Sequence, residues 1–331
     1  MSKRAAISPR DKLAIGGVDC PPGQETRVEL NVARLATGTW VTIPITVLRG
    51  SRPGPNLWLS AAIHGDELNG VEIVRRVLPK IPVDKLRGNV IGVPIVNVFG
   101  VLLQSRYLPD RRDLNRSFPG SARGSLASRL AHLFMTEIVA QCQYGIDFHT
   151  GSNHRTNYPQ LRVDLDDELT NELAMAMRMP ITIHSPSRDG SLRAVASKSN
   201  GCRVLLYEAG ETLRFDRQAI RIGERGTFRV LKQLGMLKKI PNGMGRDHPT
   251  RIVRESRWIR ASRGGILIVD VSSGEDVSAG QTLARITDTF SSDEHVIKAP
   301  HDGVVIGLTT NPLVNRGDAI AHLAQVDGDG V

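Results

Sequence analysis

Residues 57–63, LWLSAAI, form a continuous apolar run, the pattern of a strand buried on both faces. Such a strand needs cover on two sides, and the chain supplies helical patterns to provide it. Directly after it, ELNGVEIVRRVLPKI (67–81) sets Leu68, Val71, Val74 and Leu78 at helical spacing. A second buried strand is expected over 88–101, followed by a long polar loop. Helix periodicity over 124–142 then runs into a short strand, YGIDFHTG (144–151). A helix near 166–178, strands near 181–184 and at 203–207, and a helix near 216–234 complete the alternation. Strand alternating with helix predicts an α/β unit, a mainly parallel or mixed sheet flanked by helices. Ahead of it, VELNVARL (28–35) and WVTIPITVLRG (40–50) alternate with the period of two of half-buried strands.

After about residue 245 the pattern changes. NGMGRDHPTR (242–251) reads as a linker, and beyond it short strands alternate with Gly-containing turns. Val277-Ser-Ala-Gly280-Gln-Thr-Leu283 is echoed by Val314-Asn-Arg-Gly317-Asp-Ala-Ile320, 37 positions later. Self-similarity of this kind predicts a small β unit of two related halves. The expected division is therefore a large unit over 1–250, N-terminal strands included, and a C-terminal all-β unit over 251–331.

Charge is divided in the same way. The chain carries +9, but residues 256–331 hold 6 Lys+Arg against 10 Asp+Glu, a net −4, leaving +13 on residues 1–255. No basic run interleaved with aromatics accompanies this excess, so a nucleic-acid partner is not expected. A site that attracts small anionic molecules accounts for it equally well. No run approaches the ~18 apolar residues of a membrane span, and no membrane partner is expected. Cys20, Cys142 and Cys202 are scattered without a C-x-x-C pair and read as reduced thiols in a cytoplasmic protein.

Candidate chemistry sits at strand ends, where sheets of this class gather functional residues. His64 and Glu67 lie where the first buried strand becomes a helix. Three residues is about one turn, so both can face one point. A solvated turn with an acid near a helix N-terminus has the same pattern. In GIDFHTGSNH, Asp147 and His149 are two apart and share one strand face. With His149 added the set becomes His₂Glu, a known catalytic zinc combination, one Zn²⁺ per chain. His154 and His184 are weaker candidates, and His132 reads as a helix residue of structural role. Glu208, directly after the apolar strand RVLLY, could act as the base toward water, with Glu211 further into the loop. The loop QSRYLPDRRDLNRSF (104–118) brings Arg106, Arg111, Arg112, Asn115 and Arg116. Guanidinium groups there could fork onto a carboxylate or stabilise an oxyanion.

The ordered motifs H-G-D-E (64–67), R-D-L-N-R (112–116), D-F-H-T-G (147–151) and Y-E-A-G-E (207–211) resemble the succinylglutamate desuccinylase/aspartoacylase family, a branch of the zinc carboxypeptidase-like hydrolases. The resemblance implies a zinc-carboxypeptidase-like sheet and hydrolysis of a small anionic N-acyl amino acid to an amino acid and a carboxylate. It implies His64, Glu67 and His149 as zinc ligands and Glu208 as general base. Asn115 and Arg116 become the substrate-carboxylate clamp, and Arg106 the group that polarises the scissile carbonyl. The spacing from Arg106 to R-D-L-N-R is longer than in aspartoacylases, so Arg112, also a substrate-binding candidate, competes with Arg106 for that role. Residues 256–331 resemble the barrel-sandwich of lipoyl and biotinyl carriers. Asp288-Thr289-Phe290 stands where those carriers have their modified lysine, so no swinging arm is expected. Two other readings use the same scaffold: a zinc carboxypeptidase acting on a peptide, and a non-catalytic ligand-binding protein. A homo-oligomer is expected.

Overall fold

The computed structural model describes residues 12–241, 249–290 and 293–325. A hairpin (β1, Ala14–Ile15; β2, Val18–Asp19) leads into β3 (Gln24–Arg34), β4 (Trp40–Arg49) and β5 (Arg52–Ala61). Then come α1 (Asn69–Val77), β6 (Arg87–Val93), α2 (Val98–Leu102), α3 (Leu126–Glu137), β7 (Tyr144–His149) and β8 (Arg155–Val163). They are followed by α4 (Glu168–Met177), β9 (Ile181–His184), α5 (Leu192–Asn200), β10 (Arg203–Gly210) and α6 (Arg217–Gln233). The rest of the described chain is strand and turn: β11 (Arg251–Val253), β12 (Glu255–Arg260), β13 (Gly265–Val269), β14 (Asp276–Val277), β15 (Thr282–Thr287), β16 (Glu294–Lys298), β17 (Gly303–Thr309), β18 (Leu313–Val314) and β19 (Ala319–Gln325).

The main sheet runs β12-β19-β17-β8-β10-β7-β5-β6-β4-β3. Its centre, β6-β5-β7-β10, is parallel, and antiparallel strands flank it on both sides. The apolar run that ends β5 is buried twice over, as its composition requires. Leu57, Leu59 and Ala61 pack in one core with Ile73 and Val77 of α1 and Ile220 and Phe228 of α6. Trp58 points the other way, into a core with Leu130 and Phe134 of α3. Each such fully buried large side chain contributes on the order of 1.5–3 kcal/mol, so β5 anchors the parallel centre from both faces.

Three details differ from the sequence expectation. The strand foreseen over 88–101 stops at Val93. Pro94 has no N–H to continue a ladder, and the Asn97 side chain accepts the Gly100 N–H and starts α2 instead. Strand β8 is unforeseen, because TNYPQ is polar and holds Pro159. Helix α5, begun by a Ser191 cap on the Ala194 N–H, is also unforeseen.

The C-terminal strands do two things. β16-β15-β13-β18 form a separate four-stranded antiparallel sheet. The two echoed segments are matched turns within this unit, with Gly280 (φ 82°) between β14 and β15 and Gly317 (φ 93°) between β18 and β19. Meanwhile β17, β19 and β12 extend the main sheet, because β17 pairs with β8. β11 also joins, parallel to β9. Most of the linker, residues 242–248, lies outside the described residues.

Candidate active site

The carboxyl ends of β5 and β7 and the turn into α1 bring His64, Glu67 and His149 together, all buried. Their ligand atoms lie within 4.8 Å of one another. Nδ1 of His64 is 2.7 Å from Oε1 of Glu67, and Nδ1 of His149 is 2.7 Å from Oε2. Each ring is held from behind by a second carboxylate. Nε2 of His149 meets Asp147 Oδ2 at 2.9 Å, and Nε2 of His64 meets Asp113 Oδ1 at 3.2 Å. Ser60 in turn donates to Asp147 Oδ1 at 2.7 Å. Carboxylates placed behind imidazoles in this way fix tautomer and orientation and make the forward nitrogen a better donor to a metal.

Electrostatics agree with that arrangement. Burial alone would raise the Glu67 carboxyl, but the adjacent His64 and His149 hold it well below the usual carboxylate range. Burial works against protonation of both rings, yet Asp147 and Glu67 hold His149 well above its ordinary value. Glu67 and Asp113 raise His64 likewise.

Arg106 Nη1 lies 3.2 Å from His64 Nδ1 and donates to Glu67 Oε1 at 3.3 Å. The two imidazole Nδ1 atoms converge on the two oxygens of that one carboxylate. Two nitrogens and a carboxylate within reach of one point are a donor set that suits zinc.

Glu208 lies near the carboxyl end of β10 beside this trio, paired in register with His149 of β7. Its Oε2 accepts from Asn157 Nδ2 at 2.8 Å and from Arg162 Nε at 3.1 Å. Glu211 is absent from the wall of the cavity and pairs with Arg214 at 2.8 Å. A cavity of about 270 Å³ opens over the trio and Glu208. Six arginines line it: Arg106, Arg116, Arg155, Arg162, Arg188 and Arg193. Two are tied to carboxylates, Arg106 to Asp113 at 2.9 Å and Arg162 to Glu208. Burial, and then the charge of Arg162, bring Arg193 down to about 10.

Asn115 and Arg116 also line the cavity. Asn115 Oδ1 accepts the Leu192 N–H at 2.9 Å, so the start of α5 orients the amide. Arg112 is exposed and outside the lining, whereas Arg106 reaches the trio. Arg111 is exposed, with φ 61°. His154 is an exposed residue whose carbonyl accepts the Thr310 N–H. His184 sits with Asp164 and Asp166 in a separate, more exposed group, and its Nδ1 accepts the Leu165 N–H. His132 is half-buried on α3. Arg155, Asn157, Arg162, Arg188, Arg193 and Trp258 also line the cavity but are not evident from sequence. The first three sit on β8, whose proline hides the strand, and Trp258 lies about a hundred residues further on.

Among the described residues, no helix is long and apolar enough to cross a membrane. The N-alpha-acetyl-L-2,4-diaminobutyric acid deacetylase of Halomonas elongata is 28% identical over 301 residues, 86% of each chain. A succinylglutamate desuccinylase/aspartoacylase from Rhodobacter sphaeroides, of known structure, aligns with a TM-score of 0.80 at 27% identity, covering 92% of this chain and 96% of its own. The product-bound ectoine utilization protein EutE (DoeB) of Ruegeria pomeroyi shares the fold, with a TM-score of 0.79 at 23% identity over 91% of this chain and 94% of its own. The catalytic-domain model of one family matches residues 53–234, the span that carries His64, Glu67, His149 and Glu208, and the chain therefore belongs to the succinylglutamate desuccinylase/aspartoacylase family.

Proposed function

We propose that the protein is a zinc-dependent deacylase that hydrolyses the amide bond of a small anionic N-acyl amino acid. The observation that carries this reading is the buried convergence of His64, Glu67 and His149 beside Glu208, under a cavity lined by six arginines. Bound by those three ligands, zinc would supply a Lewis acid that acidifies water and polarises a carbonyl.

The chain's own groups account for the rest. Glu208 takes the proton from the attacking water and passes it to the leaving nitrogen. Asn157 and Arg162 hold its Oε2, which fixes the carboxylate for both transfers. Arg106, positioned by Asp113, offers N–H groups to the oxygen on which charge develops. Asn115 and Arg116 clamp the substrate carboxylate, and the arginine-rich wall attracts the anion from solution.

The Halomonas relative is named for a diamino acid, whose second amine is cationic at neutral pH. The lining guanidinium groups other than Arg106 and Arg162, whose charge carboxylates offset, disfavour such a side chain, so a negatively rather than positively charged substrate fits this cavity better. A panel of N-acetyl and N-succinyl amino acids with acidic, neutral and basic side chains tests the reading, run alongside metal analysis. Release of free amino acid from acidic or neutral members by zinc-loaded protein is expected. No turnover of any member, or equal preference for basic side chains, defeats it.

A further inference from the structure

Trp258 lies on β12, five strands along the sheet from β7, yet it lines the same cavity as His149. A single row of cross-strand partners accounts for this: Trp258 opposite His322, His322 opposite Gly307, Gly307 opposite Asn157, and Asn157 opposite Gly210. The indole stacks on His322, with centroids 4.6 Å apart and planes 12° apart. Gly307 keeps the middle of the row thin, since a Cβ there would stand 2.9 Å from Asn157 Oδ1. The C-terminal strands are thus keyed into the wall of the site.

Arg155 begins β8 on this side of the cavity, and its guanidinium carbon lies 5.0 Å from the Trp258 ring centroid. It differs from Arg106 and Arg162 in how it is held. Those two are oriented by carboxylates, which offset their charge. Arg155 has no ion pair among the described residues and is oriented by an aromatic face. A cation–π contact is worth about 0.5–2 kcal/mol and leaves the positive charge free for another anion.

We propose that Arg155 is a specificity-determining residue that binds a second anionic group of the substrate, and that Trp258 is the positioning residue that holds it. This rests on the deacylase reading above. The second anion is a carboxylate on the acyl chain or on the amino-acid side chain, separate from the carboxylate held at Asn115 and Arg116.

The test uses the full zinc-loaded chain and three substrates: N-acetyl-L-alanine, N-acetyl-L-glutamate and N-succinyl-L-alanine. Arg155→Ala raises KM for one dicarboxylate by about tenfold more than for N-acetyl-L-alanine, the size of one lost charged hydrogen bond, with similar kcat changes. Whether the glutamate or the succinyl compound suffers identifies which end carries the anion. Arg155→Gln, which keeps the side-chain bulk, behaves the same way. Trp258→Ala gives a weaker version of the same pattern, and Trp258→Phe restores most of it. Equal KM changes on all three substrates, or Trp258→Phe no better than Trp258→Ala, overturns the proposal. Wild-type protein that hydrolyses none of the three defeats the deacylase reading and this inference with it, whereas active wild type with an indiscriminate Arg155→Ala defeats this inference alone.

Discussion

His149 and Glu208 are direct partners in the parallel pairing of β7 with β10. Side chains at paired positions emerge on the same side of a sheet, about 4.8 Å apart at the backbone. The candidate ligand and the candidate base are therefore spaced by the ladder of hydrogen bonds, not by a loop. Two functions can be separated at this pair by substitution.

For the metal, purified protein is expected to hold about one zinc per chain, as a mononuclear site does. His149→Ala should lose metal and activity together while far-UV dichroism stays that of the folded chain. Retention of a full equivalent by the variant, measured by elemental analysis, would move the ligand role to another residue.

For the base, Glu208→Gln keeps an oxygen that can accept from Asn157 and Arg162, so the geometry survives. Metal content should match wild type while kcat falls ~10²- to 10⁴-fold, the usual range for one acid/base group. Glu211→Gln, altering a residue paired with Arg214 away from the cavity, should stay within a few-fold of wild type. The opposite ranking in steady-state assays would assign the chemistry to Glu211.

Among the arginines, Arg106→Ala should lower kcat chiefly, because its partner gains charge during the reaction. Arg116→Ala should raise KM chiefly, because a clamp acts on ground and transition states alike. Arg112→Ala should leave both near wild type, since its side chain stands outside the cavity. A kcat effect confined to Arg112→Ala would show that the loop rearranges when substrate binds.

What could be read in the chain and what could not divide along a physical line. The parallel centre is legible because LWLSAAI and RVLLY are buried on both faces and leave no alternative to helical cover. His64, Glu67, His149 and Glu208 are legible because polar residues ending apolar strands stand out by contrast. Strand β8 carries no such contrast: its cavity-facing Arg155 and Asn157 look like loop residues, and Pro159 argues against a strand. Trp258 joins the site through β19 and β17, a pairing of distant segments that local periodicity does not encode. Arg106 and Arg112 differ only in how the 104–118 loop turns, and a positive φ at Arg111 (61°) is invisible in sequence.

The continuity of the sheet alters what removing the C-terminal strands should do. Ile181 and Ile183 of β9 pack with Val253, Val304, Ile306 and Ala324, so one small core spans the seam. Gln160 also donates to the Ile306 carbonyl. A chain ending at residue 250 bares that apolar surface and the β8 edge, which invites edge-to-edge pairing. It should appear as aggregate in size-exclusion chromatography; a monodisperse, zinc-loaded product of normal KM would show that the strands are dispensable.

The same seam should make the fold sensitive to acid. Burial, and then the charges of Arg162 and Arg155, push His322 down to about 3, from about 6.5 for a free imidazole. Its Nε2 reaches Ser256 Oγ at 3.0 Å, while Nδ1 is buried without a partner. The folded pKa is thus depressed. Above about pH 6.5 the ring is neutral folded or unfolded, and stability is fully present. As pH falls from there toward about 3, the unfolded chain takes up a proton that the folded chain refuses, and stability declines by about 1.4 kcal/mol per pH unit from this group. His322→Phe keeps a ring to stack on Trp258 but cannot titrate. Its urea midpoint should therefore fall less than that of wild type between pH 7 and 4.5, whatever its absolute stability. Parallel declines for the two proteins would mean that His322 is protonated in the fold at no cost, and that the seam opens to solvent.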